Sequence, residues 1–146
     1  MSTCPYCGDD TEAPVSARWE FTLPLPWPSS QHTGGKATHH LANSGAGRWA
    51  YKKVRDDFET AIDVATVDIP FSLGRFRRVI LTRLWGKRQR AFDPSNLVAG
   101  AKPVEDALVQ CSMIDDDSAK YARIHHHQRR VVDGVAAIHV LIEELI

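Results

Sequence analysis

The stretch that most constrains this chain runs from Phe92 to Lys120 and reads F-D-P-S-N-L-V-A-G-A-K-P-V-E-D-A-L-V-Q-C-S-M-I-D-D-D-S-A-K. It opens with Asp93, passes Asn96 and Lys102, runs through a short helical phrase, and closes on Asp115-Asp116-Asp117. The segments on either side alternate apolar and polar residues as strands do. The chain must therefore place a helix and two acidic ends between two strands. Directly before Phe92 lies a basic run, Gly86-Lys87-Arg88-Gln89-Arg90. Carboxylates suited to a metal beside cations suited to phosphates are the combination that cleavage of a nucleic-acid backbone requires.

With 146 residues, 43% apolar and 25% charged, the chain suits one globular domain with its own core. Its 18 basic and 18 acidic residues cancel, so net charge gives no hint of a polyanionic partner. The distribution says more. Arg75, Arg77, Arg78, Arg83, Lys87, Arg88 and Arg90 crowd one segment while the acids cluster elsewhere, which predicts a basic face. No apolar run approaches the roughly 18–20 residues that span a bilayer, so no membrane partner is expected. The first residues lack the basic and apolar regions of a signal peptide, and the expected compartment is the cytoplasm. Three cysteines, an odd number in a reducing compartment, argue against a disulfide framework.

Residues 1–14 read as an appendage. Cys4-Pro-Tyr-Cys7-Gly8 is half of a zinc-ribbon site, with both thiolates able to face one metal. The other two ligands would have to come from His32, His39, His40, the His125-His126-His127 run or a partner chain. The alternative is a tail whose cysteines bind nothing.

Val15 to Leu25 alternates around Trp19, Phe21 and Leu23 and predicts a strand, which Pro24, Pro26 and Pro28 end. Residues 29–47, rich in Ser, Gly, His and Asn, predict a long loop. Its Lys36, His39 and His40, with Arg48 just beyond, read equally as phosphate contacts or as solvated surface. Trp49 to about Ala65 predicts a core-packing helix, with Ala50, Val54, Phe58, Ala61, Ile62 and Ala65 on one stripe. Arg75 to Trp85, Ala119 to Gln128 and Val131 to Glu143 predict three more strands. The three consecutive histidines project to alternating faces of a strand, so they suit a strand end better than a chelating set.

Phosphodiester hydrolysis needs an in-line water, neutralisation of charge on the phosphate and help for the leaving oxygen. Magnesium or manganese held by carboxylates supplies the first two. Asp93 follows one strand and Asp115-Asp116-Asp117 precedes the next. If those strands are neighbours, the two acidic ends are expected to meet. Taken alone, the aspartate run reads as an acidic turn or helix cap.

The combination resembles the RusA-like Holliday junction endonucleases of bacteria and phages, over most of the chain after residue 15. The family's early Pro-Trp-Pro-Pro-Ser loop is similar to Leu23-Pro24-Leu25-Pro26-Trp27-Pro28-Ser29. Its core motif is similar to Asp93-Pro94-Ser95-Asn96-Leu97, then Lys102, Asp106-Ala107-Leu108 and Asp116-Asp117. The resemblance implies that Asp93 and Asp117 bind the metal with Asp116 beside them. It implies that Asn96 is the motif asparagine, among the DNA contacts with Lys87, Arg88 and Arg90, and that Lys102 is the essential lysine. That ammonium would stabilise the phosphate or protonate the leaving oxygen. A homodimer, a four-way junction substrate and a bacterial or phage-infected cell are implied as well.

Two departures stand out. Ser95 occupies the place of the family's second motif aspartate, which removes one carboxylate. Three extra residues separate Asn96 from Lys102, and Pro103 follows at once, so a helix is expected to restart at Pro103 with Lys102 just before it. The expectation is one α+β domain over residues 15–146. A mixed sheet of about four strands would pack against two main helices. The expected activity is magnesium- or manganese-dependent cleavage of branched DNA. A family member weakened by Ser95, or a zinc-hairpin adaptor for nucleic acid or protein, is the alternative.

Overall fold

The structure, a computed structural model, describes residues 14–28, 45–86, 89–131 and 134–146, with the backbone alone for 45–49. Strand β1 (Val15–Leu23) comes first, then helix α1 (Gly45–Ala65) and strand β2 (Arg77–Trp85). Helix α2 (Pro94–Gln110) and strands β3 (Ala122–Arg130) and β4 (Ala137–Leu145) complete the order. The four strands form one mixed sheet in the order β1-β4-β2-β3. This is the α+β domain that the sequence predicts. Among the described residues no helix is long and apolar enough to cross a membrane.

Pairing follows from alternation. Trp19, Phe21 and Leu23 of β1, Val79 and Leu81 of β2, and Ile138, Val140 and Ile142 of β4 share one core with Phe58 and Ile62 of α1. Leu97, Ala101, Val104, Ala107 and Leu108 of α2 close it. Each fully buried Leu, Ile or Val contributes about 1.5–3 kcal/mol, so this layer holds the fold.

The arginines of β2 belong to the fold. Arg77 is fully buried, stacks 4.9 Å from the Trp19 ring centroid, and reaches Glu144 at 3.2 Å. It also donates to the carbonyls of Met113 (2.9 Å) and Pro70 (2.8 Å). Arg78 on the other face pairs with Glu143 at 2.9 Å, and Glu143 also takes Arg18 at 2.8 Å. Arg75 completes the set with Glu144 at 2.9 Å. The register explains the matching, since Glu144 lies opposite Arg77 and Glu143 opposite Arg78 and Arg18. Burial alone would raise both carboxyls. Hydrogen bonds from Arg18 and Arg78 to Glu143, and from Arg75 and Arg77 to Glu144, outweigh it and hold both below the usual carboxylate range. The expected basic face therefore loses Arg77 and Arg78 to β4, while Arg75 pairs with Glu144 from an exposed position.

Two further expectations are corrected. Helix α2 does not restart at Pro103; it runs unbroken from Pro94, with Pro103 buried inside it. The stronger start signal is Asp93-Pro94. Asp93 is the N-cap, in extended geometry, and Pro94 takes the first turn, where a missing N–H costs nothing. The two acidic ends are separated by topology as well. Strands β2 and β3 are neighbours, but they are parallel, with Arg77 opposite Ala122 and Trp85 opposite Arg130. Parallel neighbours need a crossover, which α2 supplies. The end of β2 and the start of β3 thus lie at opposite ends of the sheet.

Candidate active site

Lys102 sits in the middle of α2, half exposed, with two carboxylates on its ammonium. Asp106, one turn on, accepts from Nζ at 3.0 Å, and Asp117 accepts through Oδ2 in a shorter contact. Helical spacing explains Asp106, because residues four apart share a face. Asp117 arrives from the loop before β3. Burial by itself would lower the Lys102 pKa; the hydrogen bonds to Asp117 and Asp106 outweigh it and raise it above the usual lysine range. The lysine is therefore a fixed cation at neutral pH. The second oxygen of Asp106 accepts from the hydroxyl of Tyr51, a buried residue of α1. Burial first, then the Asp106 hydrogen bond, push that phenol far above its ordinary pKa, so it stays a donor.

The three consecutive aspartates part company. Asp115 accepts a short hydrogen bond from Ser72. Asp116 is exposed, and a hydrogen bond from Ser118 holds it below the usual carboxylate range. Asp117 alone meets Lys102. Arg77 sets this loop through the Met113 carbonyl, and Ser72 pins it again, its N–H donating to Ser112 at 2.9 Å.

Asp93 lies apart. Its Oδ1 accepts from the Asn96 N–H at 2.9 Å and its Oδ2 from the Asn96 side chain at 3.1 Å. It stands nine residues before Lys102, about 13.5 Å of helical rise. Its approach is fixed by Gln128, which bonds both the N–H (2.9 Å) and the carbonyl (2.6 Å) of Phe92. Arg83 lies 3.7 Å from the Phe92 ring centroid and donates to the Arg90 carbonyl at 2.9 Å. Burial lowers its pKa, and its guanidinium is turned inward. Arg90 is exposed, as are Ser95 and Asn96 at the opening of α2.

The Pro-rich loop also reaches α2. The Trp27 indole, almost fully buried, donates to the Leu97 carbonyl at 3.0 Å. A Cβ on Gly100 would lie 2.1 Å from the Pro28 carbonyl oxygen and 2.8 Å from the Trp27 indole nitrogen. The glycine permits the loop to lie on the helix. The histidines alternate as expected of a strand. His126 meets Glu105 at 2.6 Å under the edge of Trp27. Burial, then repulsion from His125 and His126, lower the pKa of His127.

Cys4, Cys7, Lys36, His32, His39, His40, Lys87 and Arg88, together with the Arg48 side chain, lie outside the described residues. Among the described residues no group of three or more His, Cys, Asp or Glu is arranged to hold a metal. The donor chemistry of Asp106 and Asp117 nonetheless fits a hard cation: two carboxylates already flank one positive charge, and magnesium often takes one or two carboxylates plus substrate oxygens.

Sequence reasoning missed Tyr51. Tyr51 stands three residues before Val54 and seven before Phe58, a spacing that places it beside the apolar stripe. Compared with models of protein families and with curated proteins, the chain matches none.

Proposed function

We propose that the chain is a metal-dependent, structure-selective DNA endonuclease that cleaves four-way junctions or related branched DNA. The observation that carries this reading is the meeting of Lys102 with Asp117 and Asp106. These residues come from separate parts of the RusA-like phrase and share one ammonium. In this reading the Lys102 ammonium, held by its two carboxylates, is aimed at a non-bridging phosphate oxygen or at the leaving oxygen. Asp117 and Asp106 hold the magnesium or manganese, which supplies charge neutralisation and an activated water when bound. Asn96 and Arg90, exposed near the start of α2, contact the DNA backbone, with Lys87 and Arg88 beside them. A two-fold dimer presents two such sites to the two symmetric strands of a junction.

The test is nicking of a labelled four-way junction against a linear duplex of the same sequence, in magnesium, in manganese and in EDTA. Paired, metal-dependent nicks on the junction alone are expected. Nicks that persist in EDTA, or that fall equally on the duplex, contradict the reading.

Ser95 supports a second reading, a junction-binding member with weakened cleavage. Ser95 stands at the exposed start of α2 with no carboxylate of its own, and Asp93 beside it bonds Asn96. This reading predicts tight junction binding with little nicking, and a gain of nicking in Ser95→Asp. No gain in a folded, junction-binding Ser95→Asp protein counts against it.

A further inference from the structure

The hydrogen-bond chain at the site does not end at the carboxylates. Each oxygen of Asp106 has a different partner: Oδ1 takes Lys102 at 3.0 Å, and Oδ2 takes the Tyr51 hydroxyl. Tyr51 comes from α1 and is only 8% exposed, so its ring is fixed by the core while its hydroxyl points at α2. Lys102 is much freer, with 44% of its side chain exposed, and carries many rotamers of its own. An ordered group thus holds a carboxylate, and that carboxylate holds a more exposed ammonium.

We infer that Tyr51 is a positioning residue for Lys102, acting through the Asp106 carboxylate; the inference rests on the nuclease reading of the site. The Tyr51 hydroxyl donates to one Asp106 oxygen and leaves the other to the ammonium, so Tyr51 fixes which Asp106 oxygen faces Lys102. Without that hydroxyl Asp106 is free to rotate. It can then turn both oxygens to the lysine or to water, and the ammonium loses its defined place beside Asp117. Displacement of a catalytic group by about 1 Å costs up to about a hundredfold in rate. Tyr51 does not touch the substrate in this scheme, and its loss should leave DNA affinity alone.

A plain strut between α1 and α2 would use the same hydrogen bond, so the test must separate the two roles. Tyr51→Phe keeps the ring and the packing and removes only the hydroxyl. Single-turnover nicking of the junction by Tyr51→Phe is expected to slow about tenfold or more, with junction Kd within about twofold of wild type. Unchanged nicking by folded Tyr51→Phe overturns the inference.

A second measurement does not need activity. Urea unfolding of Tyr51→Phe, Lys102→Met and the double variant reports whether these residues, which share the Asp106 carboxylate, are coupled. The relay predicts a non-additive result of about twofold or more in the unfolding constant, the lower end seen for residues of one network. Strict additivity overturns it. Should the wild-type protein fail to nick any junction, the nuclease reading falls. The unfolding cycle then decides alone whether Tyr51 orders Lys102.

Discussion

At the scale of single residues, the account separates carboxylates that sit near each other in sequence. Asp93 caps a helix, and its substitutions should divide accordingly. Asp93→Ala removes the cap and is expected to lower stability by about 1 kcal/mol, read from the urea midpoint. Asp93→Asn caps equally well and should leave that midpoint unchanged. Any loss of nicking in Asp93→Asn therefore reports the charge of the carboxylate and not the cap. The aspartate run was legible in the sequence as an acidic feature, but its division of labour was not. Which aspartate faces Lys102 depends on Ser72, Ser118 and the buried Arg77, which reach the loop from other parts of the fold. The bond between Asp106 and Tyr51 was hidden for the same reason, since it joins residues 55 positions apart.

At the scale of elements, alternation located the four strands and helical spacing located α1, whereas α2 begins nine residues before the expected restart at Pro103. The strand and α1 ends moved by up to six residues: α1 begins at Gly45 and not Trp49, and β4 at Ala137 and not Val131. What the pattern could not show was that β2 and β3 run parallel, because orientation is set by the path of the crossover. That single fact keeps Asp93 away from Asp117. Pro103 misled in a local way, since its preference for a helix start was weaker than the Asp93-Pro94 signal upstream. Gly100 belongs to this scale too. Alanine is usually preferred to glycine within a helix by about 1 kcal/mol. Here its Cβ would meet a backbone oxygen at 2.1 Å, and overpacking of this kind costs about 1–3 kcal/mol. Gly100→Ala is expected to lower the urea midpoint. A rise would mean that the Trp27-Pro28 loop moves aside without cost.

At the scale of the whole molecule, the buried arginine–glutamate pairs tie β1, β2 and β4 together and set the response to acid. Glu143 and Glu144 have folded-state pKa values below the unfolded value of about 4.3. Their contribution to stability is therefore complete above that pH and is lost as pH falls through the depressed values. The urea midpoint is expected to hold from neutrality to about pH 5 and to drop below about pH 4. Glu143→Gln and Glu144→Gln should flatten that drop. Arg77→Met leaves Glu144 and two loop carbonyls without their buried partner, and a loss of about 3–5 kcal/mol is expected. These pairs also explain why Arg77 and Arg78 are not surface cations: arginines that look like phosphate ligands in one dimension face β4 in three.

The most direct test is junction nicking in magnesium by wild type, Asp117→Asn and Asp115→Asn, each checked for folding and for junction binding. The account predicts paired nicks by wild type, none by Asp117→Asn, and nicking within a few-fold of wild type by Asp115→Asn. Nicking by Asp117→Asn at the wild-type rate, or a folded, junction-binding Asp115→Asn protein as inactive as Asp117→Asn is expected to be, would contradict it.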